Sequence, residues 1–130
     1  MTPLVERQLN FSHALADLFQ WMVVQGYEWT LGDAWRSPDE LNCPKCGTAV
    51  TYQGLLKYNG RSKVRWSAHN DRCALDILLW KDGKITSEGE DYRKMGEYWE
   101  TLGGKWGGRF GVDKDDYGHL VGWDAGHVEL

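Results

Sequence analysis

The sequence predicts an α+β fold, a small and mainly antiparallel sheet with helices packed against it, on three observations. Ala14, Leu15, Leu18, Phe19 and Met22 recur at helical spacing near the N-terminus. "CALDILLWKDGKI" sets two apolar runs about Asp82-Gly83, a favoured pair for a tight antiparallel turn. "SEGEDYRKMGEYWETLGG" then returns to helical spacing, with Tyr92, Met95, Trp99 and Leu102 on one face. Strands and helices in this order give an antiparallel sheet covered by helices rather than parallel alternation. The 130 residues are enough for one core, so 1–130 is expected to be a single domain.

In chain order, residues 4–25 read as one helix, with Asn10 to Ser12 as the place for a break and Gly26 as its stop. "YEWTLGDAWR" reads as a strand entering a turn. "SPDE" reads as a helix start, with Ser37 as N-cap, Pro38 in the first turn and Glu40 closing a capping box, and Pro44 ends that helix early. Residues 47–65 have weak periodicity and read as a surface excursion. The hairpin about Asp82-Gly83 follows, then a helix opened by a Ser87–Glu90 capping box. "KWGGRF" and "HVEL" are short strands.

Composition removes several function classes. With 15 basic and 19 acidic residues the net charge is −4 and no basic run occurs, so nucleic acid is not the expected partner. Charged and polar residues interrupt every apolar stretch well short of the ~20 residues of a membrane span. Glu6, Arg7, Asp17 and Gln20 break up what a signal peptide would need. The protein is therefore expected to be cytoplasmic at synthesis and not membrane-inserted. Three cysteines make no disulfide framework. Most of the eight tryptophans are expected in the core.

The residues that carry chemistry lie at the two ends of the C-terminal half. In the strand beginning near Cys73, Leu75, Ile77 and Leu79 point one way, while Ala74, Asp76 and Leu78 point the other. Asp76 is thus a carboxylate opposite three large apolar side chains. His69 precedes that strand across the polar turn "NDR", which can fold it back to the same side. At the far end Gly126 permits a tight turn into "HVEL", where His127 and Glu129 share one face and Val128 and Leu130 face the core. With the two strands as neighbours, His69, Asp76 and His127 converge on one ion. Three such ligands leave the fourth position of a catalytic zinc site for water.

"SAHNDRCALDI" followed by "DAGHVEL" resembles the zinc peptidases that cut D-alanine-containing peptidoglycan stems, the VanY-like D-alanyl-D-alanine carboxypeptidases, the dipeptidases and the phage L-alanyl-D-glutamate endopeptidases. Their motif is Ser-x-His, six residues, an aspartate, and later an acidic residue three before a second histidine. Ser67, His69 and Asp76 match its first half and Asp124 and His127 its second. Arg36 in "DAWRSPDEL" matches the family's arginine after an early strand, and "GWDAGHVEL" looks most like the phage endolysins. The resemblance implies a hedgehog/DD-peptidase-like fold with one Zn2+ held by His69, Asp76 and His127. It implies Asp124 as general base and Arg36 on the developing oxyanion, in an enzyme acting on stem peptides of the cell wall after release from the cytosol. A monomer is expected. Zinc brings the pKa of water toward ~7, and a carboxylate beside it can take the proton and return it to the leaving amine.

Around that site, Ser67 is a candidate substrate contact, with a turn hydroxyl bonded to its own backbone as the alternative. Trp66 and Trp123 are candidate groove walls or core residues. Glu129 is either a carboxylate orienting His127 or a solvated edge residue. The family usually has a small residue, often glycine, where this chain has Cys73, and packing is the expected role of that thiol. "NCPKCG" leaves three readings open for Cys43 and Cys46: a reduced dithiol in a turn, a second metal site completed from elsewhere, or a disulfide formed after export. Asp113, Asp115 and Asp116 lack the terminal glutamate of a calcium loop and read as a solvated acidic loop.

Overall fold

Helix α1, Pro3–Gln25, starts where the Thr2 side chain accepts the Val5 N–H at 3.3 Å and Pro3 fills the first turn. The computed structural model describes residues 1–35, 40–42, 49–51 and 67–130 of the chain. The helix ends at Gly26, whose left-handed backbone (φ 81°) closes it. No break occurs at Asn10 to Ser12: the helix is continuous there, with Phe11 buried on its core face and the Ser12 hydroxyl turned onto the Gln8 carbonyl. Phe11, Ala14, Leu18 and Met22 form its buried stripe.

Strand β1 (Glu28–Leu31) leads to the two short strands β2 (Glu40–Asn42) and β3 (Ala49–Thr51), which pair with each other. The helix expected from Ser37 is therefore absent at 40–42, where cross-strand pairing to 49–51 prevails over the local capping signal. Residues 36–39 and 43–48 lie outside the described residues, and with them Arg36, Cys43 and Cys46; Trp66 does so too. Strand β4 (Ala74–Lys81) turns through Asp82-Gly83 into β5 (Lys84–Ile85). Both turn residues have positive φ, 54° and 78°, as the tight hairpin turn requires.

Helix α2 spans Arg93–Thr101 and follows a 3-10 turn at Gly89–Tyr92. The Ser87–Glu90 capping box does not form. Thr86 takes that place one residue earlier: its hydroxyl donates to Asp91 at 2.6 Å and accepts the Glu88 N–H at 3.1 Å, while Glu90 pairs with Arg93. Strand β6 is limited to Lys105–Trp106, and β7 is His127–Glu129.

The sheet runs β1-β4-β7-β6, antiparallel throughout, with β5 also on β4. Alternation along β4 buries Leu75, Ile77 and Leu79 under the helices, where Phe11 meets Trp99 edge-on at 5.8 Å. Trp99 and Trp106 are fully buried, whereas Trp35, Trp80 and Trp123 are exposed. Each buried indole N–H holds a backbone carbonyl near the C-terminal strand: Trp99 bonds Lys105 and Glu129, and Trp106 bonds Ala125 at 2.7 Å. Among the described residues no helix is long and apolar enough to cross a membrane.

Candidate metal centre

Asp76 and His127 are opposite each other in the β4–β7 register, which puts their side chains on one face within reach of a shared ion. The Asp76 backbone is clamped from the other side as well: it donates to Asp33 and accepts from Gly32, both at 2.8 Å. Gly107 lets the turn before β7 lie close, since a Cβ there would stand 2.0 Å from the Asp124 carbonyl oxygen and 2.9 Å from the His127 Cβ.

His69 is delivered by the turn 67–73. Its N–H donates to the Ser67 hydroxyl at 3.0 Å, and the Ser67 N–H donates to the Asn70 side chain at 2.9 Å. The turn closes as a helix end does, with Cys73 N–H to the Ala68 carbonyl and Arg72 N–H to the His69 carbonyl. Arg72 takes the left-handed position at φ 59°. The backbone that suits glycine is thus at Arg72, one residue before Cys73. Cys73 is buried and free, with burial pushing its thiol pKa up, as expected of a packing residue. Helix α1 braces the same turn: Arg7 bonds the Asp71 carboxylate and the Leu130 carbonyl, and Gln8 bonds the Asp71 carbonyl.

The three side chains meet in an equilateral arrangement. His69 Nε2, His127 Nδ1 and Asp76 Oδ1 are each 3.2 Å from the other two. The other nitrogen of each ring is spoken for. His69 Nδ1 lies 2.9 Å from the Ala34 carbonyl oxygen, which only accepts, so Nδ1 carries the proton and Nε2 turns its lone pair inward. His127 Nε2 lies 2.9 Å from Glu129 and donates to that carboxylate. Imidazoles tied in this way are the usual state of metal-bound histidines, and three donor atoms aimed at one point form an arrangement that a cation satisfies.

Burial pushes the Asp76 carboxyl up, but hydrogen bonds from His127 and His69 outweigh it and hold the group well below the usual carboxylate range. Burial pushes the His127 imidazole down; its bonds to Asp76 and Glu129 and the charge of Asp124 outweigh this and raise it to about 9. A metal arriving at the cage therefore displaces a proton. Glu129 is held below its ordinary range by its bond to His127, against the burial that raises it. It is no solvated edge residue. Glu129→Ala should weaken metal affinity by about 10- to 100-fold, read by calorimetric titration of the chelated protein with Zn2+; unchanged affinity would return Glu129 to the strand edge.

Asp124 stands just outside the triangle, its Oδ2 3.8 Å from His127 Nδ1. It lines a groove of about 470 Å³ that runs from Asp76 past Trp123 and Gly126 to Thr86, Ser87 and Gly89. Trp123 is exposed beside this groove and packs on Phe110, whose ring in turn lies 5.5 Å from that of His127. Ser67 is 9% exposed with its hydroxyl engaged by the His69 N–H, which is the turn role. Cys73 is not part of the cluster, and His119 is an exposed partner of Asp116 3.1 Å away. Phe110, Gly107, Arg7 and the Ala34 carbonyl support the site without any signal in the sequence. Only Glu129 had one, the two-residue spacing from His127.

Residues 60–121 match the family model described as D-alanyl-D-alanine carboxypeptidase. The chain also resembles the crystal structure of the L-Ala D-Glu endopeptidase ChiX of Serratia marcescens, with a TM-score of 0.54 and 17% identity over 80% of this chain and 67% of that one. No curated protein sequence matches the chain.

Proposed function

We propose, from the match of residues 60–121 to the D-alanyl-D-alanine carboxypeptidase family model, that the chain is a zinc-dependent hydrolase of peptidoglycan stem peptides, cutting between L-alanine and D-glutamate as a phage or prophage endolysin. The observation that carries this reading is the 3.2 Å triangle of His69, Asp76 and His127 with both rings fixed by outer partners. Tetrahedral zinc with bonds of about 2.0–2.1 Å to nitrogen and oxygen needs ligand atoms about 3.3 Å apart, so the donor set fits this ion. The L-alanyl–D-glutamate bond is favoured by the likeness in fold to an endopeptidase of that name and by the closing "GWDAGHVEL".

His69, Asp76 and His127 would hold a Zn2+, which would supply Lewis acidity to the scissile carbonyl and lower the pKa of water toward ~7. Asp124 faces the groove beside the cage and takes the proton of the attacking water as the C–O bond forms. It then returns that proton to the amine nitrogen as the C–N bond breaks. Arg36 holds the developing oxyanion, an electrostatic contribution of about 3 kcal/mol in comparable sites. Trp123 walls the groove against the peptide. Ser67 serves the substrate indirectly, by holding the turn that carries His69.

Digestion of purified peptidoglycan, with and without a chelator and read by mass spectrometry, tests this reading. Chelator-sensitive stems with a new N-terminus at D-glutamate are expected. Loss of terminal D-alanine alone would reassign the protein to the carboxypeptidases. An intact wall in the presence of fully metallated protein would contradict hydrolysis and leave a zinc-binding module.

A further inference from the structure

One wall of the groove is built from a loop. Between β6 and β7 the chain forms two short 3-10 turns, Gly107–Arg109 and Lys114–Asp116, and then supplies Val121, Gly122, Trp123 and Asp124 to the groove. A loop keeps one shape only where its backbone is tied down. Downstream the ties run to the sheet: the Trp106 indole donates to the Ala125 carbonyl at 2.7 Å, and the Ile77 N–H to the Gly126 carbonyl at 2.8 Å.

Upstream the ties are two guanidinium groups. Arg93, the first residue of α2, donates to the Tyr117 carbonyl at 2.6 Å and to the Leu120 carbonyl at 3.4 Å. Arg109 donates to the same Tyr117 carbonyl at 3.1 Å. A carbonyl oxygen has two lone pairs, and charged donors from two different elements share this one. Each fork is aimed by a carboxylate that accepts two of its N–H groups. Glu90 holds Arg93 at 2.7 and 2.8 Å, and Glu100 holds Arg109 at 3.1 and 2.9 Å. Arg109 also lies over the Trp106 and Tyr117 rings, 4.9 and 4.5 Å from their centroids. Both side chains are largely enclosed, at 17% and 16% exposure, so neither pair is an ordinary solvated one.

We propose that Arg93 and Arg109 are positioning residues for substrate binding: by pinning Tyr117 and Leu120 they set the place of Val121–Trp123 in the groove wall. This deepens the stem-peptidase reading and rests on it. Neither guanidinium belongs to the groove's described lining or to the metal cage. The cage is held independently, by the β4–β7 register and the turn 67–73. Asp124 adjoins the sheet-tied carbonyls of Ala125 and Gly126. Loosening the arginine clamp therefore weakens the hold on substrate and spares the chemical step.

The test uses R93Q and R109Q on soluble disaccharide–peptide fragments of peptidoglycan, with stem cleavage followed by mass spectrometry. KM should rise by about 10-fold or more, the worth of one hydrogen bond from a charged donor, while kcat stays within about threefold. Zinc should remain at one per chain. Amide hydrogen exchange should quicken across 117–123 and stay at its wild-type rate across 74–79 and 127–129. R93K, whose ammonium can reach a carbonyl but lacks the planar fork, should fall between wild type and R93Q; it keeps the comparison should R93Q fold poorly. An unchanged KM in the variants, or a loss in kcat accompanied by loss of zinc, overturns the inference and leaves the hydrolase reading standing. Wild-type protein that leaves the fragments intact overturns the hydrolase reading and the inference together.

Discussion

Asp124→Asn should lower kcat by about a thousandfold while the protein keeps one zinc per chain. The amide has the size of the carboxylate but cannot take a proton from water, and general base catalysis contributes about 10²- to 10⁴-fold. Retention of zinc follows from geometry: Asp124 stands 3.8 Å from His127 Nδ1, whereas the three cage atoms stand 3.2 Å apart. Metal analysis beside steady-state kinetics checks both halves. Loss of zinc would move Asp124 into the cage.

His69→Ala should abolish activity and cut zinc affinity by well over the about 100-fold typical of an outer partner. One of three ligands is gone, and the alanine leaves the Ala34 carbonyl without its partner. The turn itself should survive, because the Ser67–Asn70 bonds and the closing backbone bonds do not use the imidazole. Removal of a ring 1% exposed still costs about 2–3 kcal/mol through the cavity. The stabilisation that wild type gains from zinc, about 2.7 kcal/mol at a hundredfold excess over Kd, should vanish in the variant. Thermal melts with and without Zn2+ measure this. An undiminished zinc shift would place the metal elsewhere in the chain.

The centre of the site is legible in the sequence because strand periodicity is strict. Asp76 opposite Leu75, Ile77 and Leu79, and His127 two residues before Glu129, declare which side chains share a face before any pairing is known. What the periodicity cannot supply is the partner of each ring. Glu129 was readable as orienter or edge residue alike, and only the β4–β7 register with its 2.9 Å bond decides. Local capping signals misled twice, at Glu40, which is in a strand, and at Ser87, where Thr86 competes better for Asp91 and the Glu88 N–H. The left-handed backbone at Arg72 was not foreseen, because an arginine gives no hint of positive φ. The groove is built from Thr86–Gly89 and Val121–Gly126, segments more than thirty residues apart, so no local pattern announces it.

The central claim is that His69, Asp76 and His127 hold one zinc ion. X-ray absorption at the zinc edge of the purified protein tests it most directly. The predicted spectrum has only nitrogen and oxygen neighbours at about 2.0–2.1 Å, with imidazole scattering from two histidines. A sulfur shell at about 2.3 Å would contradict it and shift the metal to the Cys43–Cys46 segment.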